Sequence, residues 1–540
     1  MSRVLVVGWD GATWTVARRL ARAGRLPALA GLMDGGAEGI LESVPNMNSA
    51  PAWSTIATGL NPGRHGIFYF DEPVPGTYRR TVLNAARRNG ASLWRMASEA
   101  GKRVLVVNVP ISYPAEAVNG VLAAGLDAPF TTARGFSHPA DLPSRYPQIF
   151  RNYIIEPGAQ SAVRAGRIQE AKDQLLRAVE GWVSLTGRLM QDEDWDLVFV
   201  VFTSSDIAQH FFWDEANFPF IEKVYEVQDE ATGRLVELAR DRDPEANVLV
   251  LADHGGAPNS RGPEFMPLWL EDQGLQATAP QPLKSRMLAA GFRLANRTLT
   301  RQQKLALAKR LPRMREQAEA EARLAGLDWS KTRAYADGRR DEVLVNVAGR
   351  DPEGTVRPDE YAGFVEQLKG SIADIREHGT GRPVVASVLR RDEAYRGPFV
   401  DRAPDLTVRW VLDGPIRGFA CWSERARERM RGVAERPPQQ PGGHHPEGLV
   451  VAGGPDVRPG EVRGDLADVT PTVLALLGAP VPAGLDGRPL DLVKEVPSTA
   501  GPSPSTPTFS PAEPPGEGSA GYTPEEEDEV RRRLEDLGYL

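Results

Sequence analysis

The chain predicts an α/β fold, a central and mostly parallel sheet with helices on both faces. Three observations carry that expectation. Short, continuous apolar runs recur along the sequence, and runs without polar alternation suit strands buried on both faces. Longer helical patterns separate them, the alternation expected when helices cover a sheet. Polar residues able to do chemistry follow several runs at once, and open α/β sheets bind their ligands outside the carboxyl ends of their strands.

The first strand is Val4–Val7, leading into the turn Gly8-Trp9-Asp10-Gly11. It is too short for a signal-peptide core or a membrane span, and no later stretch reaches the roughly twenty apolar residues a span needs. Further strands are expected at Val104–Val107, Leu197–Phe202, Val248–Leu251 and Leu449–Ala452, with helices over about 169–189 and 222–239. A strand is also expected over Glu342–Val347. Near the end, Thr470 reads as a helix cap with Pro471 at the first helical position, and Gly478 as the stop.

Two regions depart from this pattern. Between Lys284 and Arg323 a helical block carries 11 Lys or Arg against 3 Glu, so its surface would attract anions or an anionic membrane face; a plain solvated helix surface fits as well. Residues 497–521 are rich in Pro, Ser, Thr and Gly and read as a flexible linker. Beyond it, Thr523-Pro524-Glu525-Glu526 opens a C-terminal helix, with Arg531-Arg532-Arg533 placed toward its end to suit the helix dipole. Val530, Leu534, Leu537 and Leu540 would dock that helix on the body or on a partner.

Bulk properties exclude several classes. A 540-residue chain with 41% hydrophobic content builds a large core and is not globally disordered. A net charge of −8 gives no general attraction to nucleic acid. One cysteine, Cys421, excludes an internal disulfide framework and suits a reducing compartment, so the expected location is cytoplasmic. Oligomeric state stays open.

The chemistry-bearing residues cluster at strand ends. Asp10 follows the first strand; Asp206 follows Leu197–Phe202, with His210 four residues on; Asp253 and His254 follow Val248–Leu251; His444 and His445 precede Leu449–Ala452. Of the 7 histidines, 4 fall in these places, and mixed carboxylate and imidazole is a ligand set for zinc and related divalent ions. Each position alone has a plainer reading, since an Asp after a strand is often a turn former. Ser49, before Pro51 and a helical pattern, lies at or just before a helix N-terminus. There it could serve as a nucleophile activated by metal, or merely as a helix cap. His65 reads as a structural, loop-packing histidine.

These residues belong to a longer series of segments: GWDGATW at 8–14, NSAPAWSTIATGLNPGRHGIF at 48–68, SSDIAQHFF at 204–212 and LADHGG at 251–256. APDLTVRW at 403–410, GGHHPEGLVVAGGP at 442–455 and DVTPTVLALLGAPVPAGLDGRPL at 468–490 continue it. In order and content the series resembles the alkaline phosphatase superfamily, in its type I phosphodiesterase/nucleotide pyrophosphatase branch and the related prokaryotic phosphohydrolase/phosphomutase-like proteins. The resemblance implies an alkaline phosphatase-like core over 1–275 and 401–495. A basic insertion or cap over 276–400, helical or α+β, would interrupt it, with the linker 496–521 and the helix 522–540 after it. It implies one metal on Asp206, His210 and His444, a second on Asp10, Asp253 and His254, and Ser49 between them as nucleophile and metal contact. The metals would be zinc, or manganese.

The implied activity is two-metal hydrolysis of phosphate monoesters or diesters through a covalent intermediate on Ser49, with small or lipid-like esters as substrates. Transfer to a second hydroxyl, as in a phosphomutase, is the alternative. Peripheral membrane contact would run through the basic insertion. Three features qualify the resemblance. His444-His445 is a doublet, with His444 chosen as the ligand. The Asn that nucleotide pyrophosphatases carry after their HGI element falls near Phe70, and nothing basic follows Ser49 before Arg64. No CxPxR-like sulfatase motif surrounds Ser49.

Overall fold

The computed structural model describes residues 2–279, 326–438, 440–496 and 521–540. The whole basic block at 283–325 and nearly all of the linker lie outside the described residues.

A sheet of nine strands forms the body. Val4–Trp9 lies centrally, parallel to Leu197–Phe202 on one side and to Asn247–Leu251 on the other. All three strands are buried along their whole length, as their continuous apolar sequences require. Val104–Val107 and Gly120–Ala123 extend the parallel set outward, and a short antiparallel strand, Ser137–His138, closes that edge. On the other side Glu447–Gly453 enters antiparallel, followed by Ala37–Glu42 and the edge strand Gly460–Asp465.

Because the strand after the His444-His445 doublet runs against its neighbours, its N-terminal end meets their C-terminal ends. The register is tight: Trp9 pairs with Phe202, Gly8 with Leu251 and Glu447 with Glu42. Residues just beyond Trp9, Phe202, Leu251 and Glu42, and just before Glu447, therefore gather at one edge of the sheet.

Long helices Ile168–Asp192 and Phe218–Arg242 pack on each other beside the sheet, a few residues longer at each end than their apolar periodicity indicates. Trp9, Trp53, Trp94 and Trp182 are fully buried in this core. Gly8 has to be a glycine, since a Cβ there would stand 2.4 Å from the Trp53 ring. The helix expected from Thr470 starts earlier: Asp465 and Asp468 form a capping box on a 3-10 turn, and helix Val469–Leu476 carries Thr470 inside, its hydroxyl donating to the Ile56 carbonyl.

A second, smaller core holds an antiparallel four-stranded sheet of Ala334–Tyr335, Glu342–Val345, Leu406–Trp410 and Val385–Arg390. Helices Gly262–Asp272, Tyr361–Ala373 and Glu424–Ala434 supply its apolar cover. Where described, the insertion is α+β, one of the two forms expected for it, and its sheet includes the strand Leu406–Trp410. Arg340 joins this core to the hairpin of Asp71–Pro73 and Arg80–Val82: its Nη2 lies 2.9 and 2.8 Å from the Asp71 carboxylate oxygens, while Arg80, on the hairpin's own second strand, places Nε 2.8 Å from Oδ1. The two arginines hold Asp71 well below the usual carboxylate range despite its burial.

The C-terminal helix is Pro524–Leu537, started by a capping box between Thr523 and Glu526. Val530, Leu534, Leu537, Tyr539 and Leu540 are buried in the main core. The dipole role expected for the three arginines is not what Arg533 does. It is buried and donates to the carbonyls of Leu126, Ala128 and Pro129.

Candidate active site

Ser49 is the first residue of a fully buried helix, Ser49–Thr58, that follows the strand Ala37–Glu42. Asn48 is the cap: its side-chain oxygen accepts the Ala50 N–H at 3.2 Å. Ser49 is therefore not spent on capping. Its Oγ lies 3.2 Å from His254 Nε2 and 3.5 Å from Asp10 Oδ1, beside a helix N-terminus that favours negative charge.

Asp10, Asp253 and His254 form one trio at the ends of adjacent strands. The Trp53 indole donates to Asp10 Oδ2 at 2.9 Å, leaving Oδ1 toward Ser49. Gly11 N–H donates to Asp253 Oδ1 at 3.1 Å, while Asp253 Oδ2, 3.4 Å from His254 Nε2, is buried without a hydrogen-bond partner. The Gly255 carbonyl, 3.0 Å from His254 Nδ1, takes that edge of the ring and turns Nε2 into the site. Burial, with the charges of Asp253 and Asp206, pushes Asp10 well above the usual carboxylate range. Burial raises Asp253 too, against the pull of His254.

The second trio is Asp206, His210 and His444. Asp206 and His210 share a face of helix Ser204–Phe212, four residues apart. His444 arrives on the short strand Gly442–His445, which pairs with Gly255–Pro258 and sets His444 opposite Gly256. His210 Nε2 lies 3.0 Å from His444 Nε2 and 3.3 Å from Asp206 Oδ1, and His444 Nε2 lies 3.7 Å from Asp206 Oδ1. His445 turns away, its Nδ1 accepting the Glu447 N–H, so geometry selects His444 from the doublet. Burial pushes Asp206 up, but His210, His444 and His254 outweigh it and hold the carboxylate low. Burial and the neighbouring histidines push His444 well down.

This donor set fits divalent cations. Ligand atoms about 2.1 Å from a tetrahedral zinc stand roughly 3.4 Å from one another, and the separations in the second trio, 3.0 to 3.7 Å, bracket that value. The unpartnered Asp253 Oδ2 is the sort of buried oxygen a cation would satisfy. His254 stands at the junction: its ligand atom groups within 4.8 Å with Asp10 and Asp253, and equally with Asp206 and His444. All seven positions singled out from the sequence thus converge on one place.

His65 does not join them. It is buried, its Nε2 3.0 Å from the Thr55 hydroxyl and its Nδ1 accepting the Ile67 N–H, and burial lowers its pKa to about 3, so it stays neutral and structural. One residue at the site had no signal in the sequence. Tyr539, beyond the C-terminal helix, places its hydroxyl 2.7 Å from Asp206 Oδ2 and 3.4 Å from Ser49 Oγ. The apolar spacing of Val530, Leu534 and Leu537 pointed to docking but not to where.

A mixed sheet with its acidic and imidazole side chains gathered at one edge defines an alkaline phosphatase-like α/β protein. The sequence matches the type I phosphodiesterase/nucleotide pyrophosphatase family over residues 4–414, and the chain belongs to that family, within the alkaline phosphatase superfamily. No curated protein sequence matches it. Among solved structures it is similar to phosphonoacetate hydrolase from Sinorhizobium meliloti 1021, at 16% identity and TM-score 0.51, covering 88% of this chain and 95% of that one. It is also similar to a mutant of the alkaline phosphatase PafA, at 13% identity and TM-score 0.50, covering 91% and 98%. These likenesses show the fold. Among the described residues, no helix is long and apolar enough to cross a membrane.

Proposed function

We propose that the protein hydrolyses phosphate esters, using Ser49 as nucleophile between two divalent metal ions. One ion is held by Asp206, His210 and His444, the other by Asp10, Asp253 and His254. The observation that carries the reading is the place of Ser49 Oγ, 3.2 Å from His254 Nε2 at the head of a buried helix whose cap is supplied by Asn48. Metals bound there would lower the proton affinity of the serine hydroxyl and offset charge on the phosphoryl oxygens. The chain's own residues fix the geometry. Asn48 holds the first helical turn, Trp53 orients Asp10, and the Gly255 carbonyl orients His254.

In the reaction, Ser49 Oγ forms a bond to phosphorus as the ester oxygen departs with a proton. Water then cleaves the seryl phosphate, releasing the phosphate product and restoring the hydroxyl. Zinc is the first candidate and manganese the second, since carboxylate and imidazole serve both. Stripped protein reloaded with each metal and assayed on p-nitrophenyl phosphate and its bis ester tests the reading. Turnover that depends on metal and disappears in Ser49→Ala supports it, whereas full activity in Asp253→Asn or His210→Ala defeats the site assignment.

One observation favours a second reading, transfer of the phosphoryl group to another hydroxyl. Ser49, Asp253 and His254 are wholly buried while His444 stays partly exposed, and restricting water at the nucleophile favours transfer over hydrolysis. Product analysis with an added alcohol separates the two readings: transfer gives a new ester and hydrolysis gives free phosphate.

A further inference from the structure

The C-terminal segment lies beyond the family match, which ends at residue 414, yet it reaches the middle of the site. Asp206 divides its two oxygens. Oδ1 faces His210 and His444 at 3.3 and 3.7 Å, and Oδ2 accepts the Tyr539 hydroxyl at 2.7 Å. We propose that Tyr539 is a positioning residue of the active site, locking the Asp206 carboxylate so that Oδ1 is presented to the metal beside the two histidines. This inference rests on the two-metal reading above.

The hydroxyl can do this because the tyrosine is itself fixed. Its ring lies against Phe70, with centroids 4.9 Å apart, and stands edge-on to His210. Phe70 is near the place where the family's nucleotide pyrophosphatase pattern carries Asn, so an apolar seat stands there instead. Upstream, Gln440 Nε2 donates to the Leu537 carbonyl, and Arg339 Nη1 donates to the Leu540 carbonyl on the far side of the tyrosine. Tyr522 donates to the Asp127 carbonyl and stacks on Tyr113, with centroids 5.5 Å apart. Together with the buried Arg533, these contacts make the segment a built wall of the site. A removable stopper would be held by fewer and more exposed contacts.

A hydroxyl bonded to a ligating carboxylate fixes which oxygen the metal meets, and losing such a partner costs about 10- to 100-fold in metal affinity or activity. The test uses the full chain, stripped of metal and titrated with zinc by calorimetry and with cobalt(II) by visible absorption. Tyr539→Phe keeps the ring and deletes only the hydroxyl. We expect wild type to bind two equivalents. In Tyr539→Phe, one of them should weaken by about 10- to 100-fold with an altered cobalt spectrum, while the melting temperature of the stripped protein is unchanged. A chain ending at Gly538 should show the same selective loss.

If both equivalents bind Tyr539→Phe as tightly as wild type, with the same spectrum, the positioning role is wrong while the two-metal reading stands. Higher turnover in either variant would also overturn it, since the segment would then be a stopper. Wild type that takes up no metal removes the two-metal reading and this inference with it.

Discussion

At the head of helix Ser49–Thr58, the Asn48 side chain accepts the Ala50 N–H, so the residue before the candidate nucleophile does the capping and Ser49 Oγ stays turned toward His254. Asn48→Ala should cost about 1 kcal/mol of stability through the lost cap. It should also lower turnover, because the first helical turn no longer holds the serine. Urea unfolding measures the first effect and steady-state kinetics the second. Asp71 offers a contrasting residue-scale case, since it is paired with Arg340 across the two cores and with Arg80 within its own hairpin. Asp71→Asn removes the nearest counter-charge of the buried Arg340, leaving Glu342 and Asp337 at 3.8 and 3.9 Å, and should cost about 3 kcal/mol, read as a lower denaturant midpoint. Sequence reasoning singled out the six Asp and His positions at this scale because each follows or precedes an apolar run. It left Ser49 undecided between cap and nucleophile, because the deciding fact is a side-chain hydrogen bond from its neighbour.

The C-terminal helix and the loop beneath it form the element whose position sequence patterns left open. Amphipathic spacing showed an apolar face, but that face joins the main core, and the carbonyls that fix the segment through Tyr522 and Arg533 belong to Leu126, Asp127 and Ala128 far away in the chain. Asp127 is fully buried there, and burial raises its carboxyl to about 6 although the Ser112 and Tyr113 N–H groups donate to it. The folded chain therefore holds this proton between about pH 4 and 6, where the unfolded chain has released it. Its contribution to stability is present below that window and lost as pH rises through it. Asp127→Asn has no such proton to lose, so relative to wild type it should gain up to about 3 kcal/mol between pH 4 and 7. Denaturant unfolding of both proteins across that range checks the sign and the size. The smaller sheet was only partly legible for a related reason. Its strand Leu406–Trp410 pairs with Glu342–Val345 across a long stretch of sequence, and the two-residue strand Ala334–Tyr335 is too short to carry periodicity.

For the molecule as a whole, the antiparallel strand Glu447–Gly453 brings His444, just before it, to the same edge as Asp10, Asp206 and Asp253. Local apolar runs revealed the strands, but their order and the tight register that aligns their ends are long-range properties. Three buried carboxylates and three imidazoles are costly to gather at that edge, and a divalent cation held there would offset the cost. Restoring zinc to stripped protein at about a hundredfold excess over its Kd should add about 2.7 kcal/mol for each site occupied only in the folded state. Thermal melts with and without metal measure this as a raised transition temperature.

The central claim, that Ser49 becomes esterified during turnover, is tested most directly by trapping the adduct. Metal-loaded protein mixed with p-nitrophenyl phosphate, quenched in acid within the first turnovers and digested for peptide mass spectrometry, should show one phosphoryl group on the peptide containing Ser49. A burst of p-nitrophenol equal to the protein concentration should accompany it where release of phosphate is the slow step. Metal-dependent hydrolysis that persists undiminished in Ser49→Ala, with no adduct on that peptide in wild type, would contradict the account.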